Sequence, residues 1–398
     1  MSTMPSVNVA FIGCCYKGDM YAQNCCGFAD AVRRHDIAVD FITSNCGCFS
    51  STHRFGITKD ELADRNSRAV RLPYIGPDPN RKPGIPKYLL FNICHVHIPL
   101  EMTRGILFYK RARHADIVHY DQVFKAFGFL GLVVLVSLCR LFHKPIIATV
   151  HEIDPFQKRN RWMNAVYNHC AQVFVYSRDM ADQLTRLGVR SEAIKIIKYG
   201  APIPVLLPHT KTQYIFFGGH NILRGKGFPQ VIEALKILRD KSVSIKLVVY
   251  VGNGCNGLRE AKALAEKSSV SSMIEWKKFL EGEDLTTAYQ TSKACLVPYT
   301  GGSGRHPVTC AMANGVPVIA TRAVDIPEYL GDSGIYVQPT GQALADAMLT
   351  IERDATPAAL VGTQLRTKAM EELDYYGITE GISGRYRQLN LNKVGVRT

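Results

Sequence analysis

One stretch constrains the fold more than any other: Ala294 to Glu328, ACLVPYTGGSGRHPVTCAMANGVPVIATRAVDIPE. Ala294–Val297 is a short apolar run that predicts a buried strand. Pro298, Gly301, Gly302 and Gly304 then break it. Ala311-Met312-Ala313 favours helix, and Asn314-Gly315 closes that helix as a left-handed cap does. Val316–Ala320 predicts a second buried strand. Strand, glycine loop, helix and strand in that order predict a parallel pair joined by a crossover, hence an α/β sheet. A glycine loop that opens a helix also suits an anion. Its backbone can come close to oxygens, and the first-turn N–H groups point outward with the helix dipole behind them. Arg305 and His306 stand at that mouth and are expected to add charge-assisted hydrogen bonds. A plain surface turn is the competing local reading.

The chain has 398 residues, enough for two domains with separate cores. At 46% hydrophobic and 21% charged residues, its composition is that of a globular protein. The formal charge is +14, and the first 200 residues carry 26 Lys/Arg against 16 Asp/Glu. Such an excess suits an anionic partner: a nucleotide sugar, a lipid-phosphate acceptor or an anionic membrane surface. Nucleic acid is not expected, because no helix-turn-helix, RNP or zinc-finger pattern is present. The 12 cysteines include Cys14-Cys15, Cys25-Cys26 and Cys46-x-Cys48, but no C-x2-C spacing. Reduced thiols and no metal site are expected. The most apolar run, Phe127–Cys139, has 13 residues. A membrane span needs about 20, so a buried crossover helix is predicted.

Along the first half, Val7–Gly13, Val39–Thr43, Ala69–Leu72, Asp116–Tyr120, Pro145–Val150 and Val173–Tyr176 predict strands. Ser177 is placed to cap a helix that ends at Gly188. Residues 87–113 mix aromatic and basic side chains and are the most membrane-like surface; Pro99 argues against one long helix there. Residues 200–211 hold three prolines and predict a linker. In the second half, Lys246–Val251 runs into Gly252-Asn-Gly254-Cys-Asn-Gly257, which fits Gly-x-Gly-x-x-Gly. The strand that should then end in an acidic ribose ligand ends instead at Lys277-Lys278, so a dinucleotide site is disfavoured. Glu152-Ile-Asp154 is a poor match to a metal-binding Asp-x-Asp clamp.

Taken together, Pro298, the glycine loop, Ala311-Met312-Ala313-x-Gly315, Pro317–Ala320, Ile326-Pro327-Glu328, Lys226-Gly227 and the His151 that follows Thr149-Val150 resemble the family 4 glycosyltransferases. The resemblance implies a GT-B architecture of two Rossmann-like α/β domains facing across a cleft. Residues 1–200 would form the acceptor domain, 201–211 the linker and 212–373 the nucleotide-sugar domain. Residues 374–398 would form a helix returning to the first domain. It implies that His151 lies near the donor phosphate and sugar, and that Lys226 holds the diphosphate. The family's arginine position falls on His220 or Asn221, so Arg224 is the cation expected to stand in. Gly13, Gly219, Gly301, Gly302, Ser303, Gly304, Arg305, His306, Thr309 and Cys310 would line the donor, with Phe279 by the nucleobase. One departure is clear. The family's Glu-x7-Glu pair is absent, its two places being held by Gly302 and Cys310.

The activity implied is retaining, metal-independent transfer of a sugar from a nucleoside diphosphate, of UDP or GDP type, to a hydroxyl of a glycan or lipid-linked acceptor. No cofactor is expected. A cytoplasmic location at the inner membrane face, with peripheral contact to anionic lipid, fits that acceptor. The missing Glu pair leaves two alternatives: a non-catalytic GT-B partner of a transferase, and a nucleotide-sugar epimerase.

Overall fold

The structure, a computed structural model, describes residues 7–13, 20–44, 67–70, 97–122, 129–153, 164–280 and 282–395. The chain divides into two compact units, one of residues 1–198 with 375–398 and one of residues 199–374.

The first unit is built on strands β1 (Asn8–Ile12), β2 (Ala38–Ser44), β3 (Ser67–Val70), β4 (Ile117–Gln122), β5 (Ile146–Val150), β6 (Gln172–Val175) and β7 (Ile194–Ile196). They form one parallel sheet in the order β3-β2-β1-β4-β5-β6-β7. Every residue of β5 is buried, as expected of a strand covered on both faces. Helices α1 (Met20–Arg33), α2 (His97–Ala112), α3 (Phe129–Leu141) and α4 (Arg178–Arg186) connect the strands. The apolar run from Phe127 becomes α3, buried through Leu132, Leu135, Val136 and Cys139. No helix among the described residues is long and apolar enough to cross a membrane. Helix α2 begins at His97, two residues before Pro99, and residues 71–96 lie outside the described residues. That proline sits in the first turn, where its missing N–H has no helical acceptor to lose. Ser177 caps α4, its Oγ accepting from Met180 N at 3.2 Å, and Gly188 follows with φ +93°.

The second unit holds β8 (Gln213–Asn221), β9 (Leu247–Asn256), β10 (Ile274–Lys278), β11 (Ser292–Val297), β12 (Val318–Ala320) and β13 (Ile335–Tyr336). Its parallel sheet has the order β10-β9-β8-β11-β12-β13. The helices of this unit are α5 (Phe228–Asp240), α6 (Leu258–Lys267), α7 (Gly282–Gln290), α8 (Arg305–Ala313), α9 (Ile326–Leu330), α10 (Gly341–Arg353) and α11 (Thr356–Glu372). Gly252 and Gly254 lie inside β9 rather than in a turn, and only Gly257, at φ +78°, precedes α6. The glycines of the dinucleotide-like pattern therefore extend the ladder beside β8 instead of wrapping an anion. The proline-rich segment at 201–211 is tied to this unit. Ala201 N donates to Leu373 O at 3.0 Å, Leu207 N to Gln290 Oε1 at 3.1 Å, and Arg366 to Pro204 O at 2.6 Å.

The last helix, α12 (Tyr375–Gly395), belongs to the first unit and packs on α1. Gly27 of α1 faces the Tyr375 ring, and a Cβ there would come within 2.7 Å of it. A tighter contact joins α2 to α3, where a Cβ on Gly105 would lie 2.4 Å from Gly131 O, a backbone atom that cannot swing away. Gly105→Ala is expected to destabilise the protein by about 1–3 kcal/mol through overpacking. A lowered urea midpoint at unchanged m would show it.

Candidate functional site

In the second unit, the loops after β8 and β11 are joined backbone to backbone. Thr300 N and Gly301 N both donate to Gly225 O, at 3.0 and 3.1 Å. Gly225 has φ +70°, and a Cβ on it would sit 2.9 Å from Gly301 O. Gly227 has φ +72°, and its Cβ would meet Pro298 O at 2.0 Å. No other residue fits either place. The approach lays Lys226 along the second loop. Its Nζ donates to Ser303 O at 3.1 Å and lies 4.1 Å from the centre of the Tyr299 ring. Tyr299 is fully buried and anchored by its hydroxyl to Phe217 O at 2.7 Å. Gly301, Gly302 and Ser303 are partly or fully exposed beside this ammonium. Arg224 is exposed on the first loop, and Asn221 Oδ1 accepts from Arg224 N at 3.2 Å. Gly219 lies at an irregularity of β8 with φ +60° and open space around it. His220 falls within β8.

Two of the expected cations are not available as charges. Arg305 is buried and paired with Asp325, Nη1 to Oδ2 at 2.8 Å. The same carboxylate accepts from Gly304 N at 3.4 Å, so Asp325 caps α8 and cancels the arginine at once. His306 is also buried, and burial lowers its pKa to about 4, so it is neutral at pH 7. It can give or take a hydrogen bond but supplies no charge assistance. Cys310 Sγ lies 3.8 Å from His306 Nε2, and burial raises its thiol to about 12. Where the family carries a carboxylate, this chain therefore has a neutral thiol beside a neutral imidazole. Thr309 is fully buried, with its hydroxyl donating to His306 O at 3.3 Å along the helix. Phe279 lies 5.7 Å from the His306 ring, and its N–H donates to Val251 O at 3.0 Å.

In the first unit, alternation along the strands gathers a buried polar cluster. His119 and Asp121 share one face of β4. Register pairs Asp121 with Thr149 of β5, and His151 follows that strand's end. His151 Nε2 donates to Asp121 Oδ1 at 2.6 Å, and Cys25 of α1 donates its thiol proton to Oδ2, also at 2.6 Å. His119 Nε2 lies 2.7 Å from Thr149 Oγ1, and its Nδ1 meets the Tyr386 hydroxyl of α12. Burial, with His151 nearby and despite Asp121, lowers His119 to about 4. Burial alone would raise the Asp121 carboxyl, but His151 and the two hydrogen bonds carry it below its ordinary value. Cys25, Asp121 and His151 are the three metal-capable groups that cluster among the described residues. Their ligand atoms lie within 4.8 Å of one another. Cys25 is thus joined by a carboxylate and an imidazole, while Cys14, Cys15, Cys46 and Cys48 lie outside the described residues. Gly13 follows β1, its N–H donating to Ile42 O at 3.1 Å.

Sequence reasoning passed over Asp121, Tyr299 and Asp325. Asp121 was legible as the residue two after His119, on the same strand face. Asp325 had no local signal, since its partner stands 20 residues earlier.

Two parallel α/β units of this kind define the GT-B class of glycosyltransferase fold. HepE of Anabaena, solved with UDP and glucose, superposes with a TM-score of 0.70 at 16% identity, covering 95% of this chain and 99% of that one. Sucrose-phosphate synthase of Thermosynechococcus elongatus gives 0.70 at 18% identity, covering 96% and 99%. The family model "Glycosyltransferase Family 4" matches residues 27–203, and "Glycosyl transferases group 1" matches residues 211–354. An MMP alpha-(1->4)-mannosyltransferase of Mycolicibacterium hassiacum is 25% identical over 206 residues. That match spans 50% of this chain and about half, 47%, of the relative. The chain belongs to the family 4 glycosyltransferases.

The two depressed histidines set an acid-side prediction. Between pH 6.5 and about 4 the unfolded chain binds protons at His119 and His306 that the folded chain refuses. Stability therefore falls as pH drops through that window and is insensitive to these groups above it. Urea midpoints measured from pH 8 to 4 should decline below 6.5, and less steeply in His306→Gln. At neutral pH, Asp325→Ala should cost about 3–5 kcal/mol, because it leaves the Arg305 charge buried alone. The same urea titration reads that loss.

Proposed function

We propose that this chain transfers a sugar, with retention at the anomeric carbon, from a nucleoside diphosphate of UDP or GDP type to a hydroxyl of a glycan or lipid-linked acceptor. The observation that carries the reading is the joined pair of loops in the second unit. They set the Lys226 ammonium beside the exposed backbone of Gly301, Gly302 and Ser303, with Arg224 on the adjoining loop. Such a cradle suits a diphosphate. As the glycosidic bond breaks, negative charge grows on the leaving phosphate, and preorganised donors lower that barrier without reorganising. HepE, named with UDP and UDP-glucose, supports a uridine donor.

His151 is the first unit's candidate for contact with the donor sugar or phosphate. The diphosphate's own oxygens can take the acceptor's proton, which needs no separate base and no metal. The excess of basic residues in the first half supports an acceptor with phosphate groups at the inner face of a membrane.

A thermal-shift series with UDP, GDP, ADP and dTDP tests the proposal, followed by transfer assays with the matching nucleotide sugars. One nucleoside diphosphate should raise the melting temperature. Lys226→Ala should weaken it by about 10–100-fold, the loss of one charge-assisted phosphate contact. No shift with any nucleotide at millimolar concentration, and no transfer, would overturn the reading in favour of a non-catalytic partner of a transferase.

A further inference from the structure

Single exposed apolar side chains are ordinary on a protein surface, whereas a group of them bordered by cations is not. The first unit carries such a group where α2 and α3 pack together. Spacing of four and three puts Met102, Ile106 and Tyr109 on one stripe of α2, and Arg113 continues it. The stripe faces outward because Gly105, Phe108 and Ala112 take the buried side. Met102 and Ile106 are 44% and 51% exposed. At the end of α3, Leu141 and the Phe142 that follows it are 68% and 57% exposed. The Phe142 ring stacks on that of Tyr109, with centres 5.3 Å and planes 22° apart, so the apolar residues of both helices form one surface. From Met102 to Arg113 it runs about 16 Å along α2.

The charge around this surface has one sign. Residues 102–116 and 129–144 contain Arg104, Lys110, Arg111, Arg113, Arg140 and Lys144 against one acid, Asp116. Asp116 is half-buried and engaged, its Oδ2 accepting from Asn8 N at 3.0 Å. Lys110, Arg111, Arg113 and Arg140 are exposed. Arg113 and Arg140 donate to His114 and His169, at 2.9 and 3.1 Å, and a histidine does not cancel a guanidinium charge. An apolar strip flanked by cations matches an anionic bilayer: the headgroups take the charges and the acyl boundary takes the side chains. A second copy would bring these cations against their own images, because a twofold contact is self-complementary. Helix α2, 16 residues long with cations along it, suits lying on a bilayer rather than spanning one.

We propose that the outer face of α2 and the end of α3, centred on Ile106, Tyr109 and Phe142, rest on an anionic lipid bilayer. The apolar side chains enter the boundary between headgroups and acyl chains, and Lys110, Arg113 and Arg140 meet the lipid phosphates. The link to a lipid-phosphate acceptor rests on the transfer reading above, whereas the contact itself needs neither donor nor acceptor.

Flotation of the full chain with unilamellar vesicles tests the contact. Phosphatidylcholine vesicles containing about 30% phosphatidylglycerol should bind the protein about tenfold or more tightly than phosphatidylcholine alone. Raising salt from about 0.1 to about 0.5 M should weaken that binding by about tenfold. The pair Ile106→Ser with Phe142→Ser, and the pair Lys110→Glu with Arg113→Glu, should each lower binding to the anionic vesicles by about tenfold. All four positions are exposed, so both variants should keep the wild-type urea midpoint. Leu360→Ser with Met370→Ser removes exposed apolar side chains of the second unit and should bind as the wild type does. Equal binding to both vesicle types, binding to neither, or binding that neither first-unit pair weakens would overturn the proposal. So would a dimer in sedimentation equilibrium that Ile106→Ser with Phe142→Ser dissolves, since a second copy would then cover the strip. Failure here leaves the transfer reading standing, because a chain can transfer sugar without binding vesicles and bind vesicles without transferring sugar.

Discussion

Two glycines pressed against another loop's backbone organise the second unit. Gly225 and Gly227 take left-handed conformations and approach Gly301 and Pro298 more closely than any Cβ permits. That contact joins two crossovers separated by some seventy residues of sequence. It also gives Lys226 a fixed course over Tyr299 to the carbonyl of Ser303. Without it the ammonium would be a solvated surface charge. With it, charge and exposed backbone face the same space, the arrangement a diphosphate needs.

Polar groups buried around the sites are matched closely, and the matching redistributes charge. Arg305 and Asp325 neutralise each other beneath α8. His306 and Cys310 are both held neutral by burial. Lys226 and Arg224 carry positive charge on these two loops, Lys226 with its ammonium on the Ser303 carbonyl. In the first unit the same economy surrounds one carboxylate: two donors satisfy Asp121, and a separate pair of hydroxyls engages His119. Charges so enclosed act on their neighbours' protonation more than on distant ligands.

Much of this was legible along the chain. Continuous apolar runs marked the strands because both faces of a parallel sheet are covered. Asn314-Gly315 marked the end of α8, and Ser177 the start of α4, because caps are local chemistry. The dinucleotide-like pattern at Gly252 and Gly254 was disfavoured by the basic end of the next strand, and both glycines lie within β9. One failure was equally local in origin. Arg305 read as a phosphate ligand because nothing near it in sequence announced Asp325.

The order of elements, the two-unit α/β class, the glycine loop and the Lys226-Gly227 pair were determined by sequence alone. Each depends on residues within a few positions of one another, where periodicity, capping and turn chemistry operate. Tertiary structure decided which charged groups are spent on the fold and which can face a ligand. Asp325 reached Arg305 across 20 residues, Asp121 reached His151 across 30, and Lys226 reached Ser303 across 77. Protonation in these sites follows from burial and partner, and both exist only once distant segments have packed.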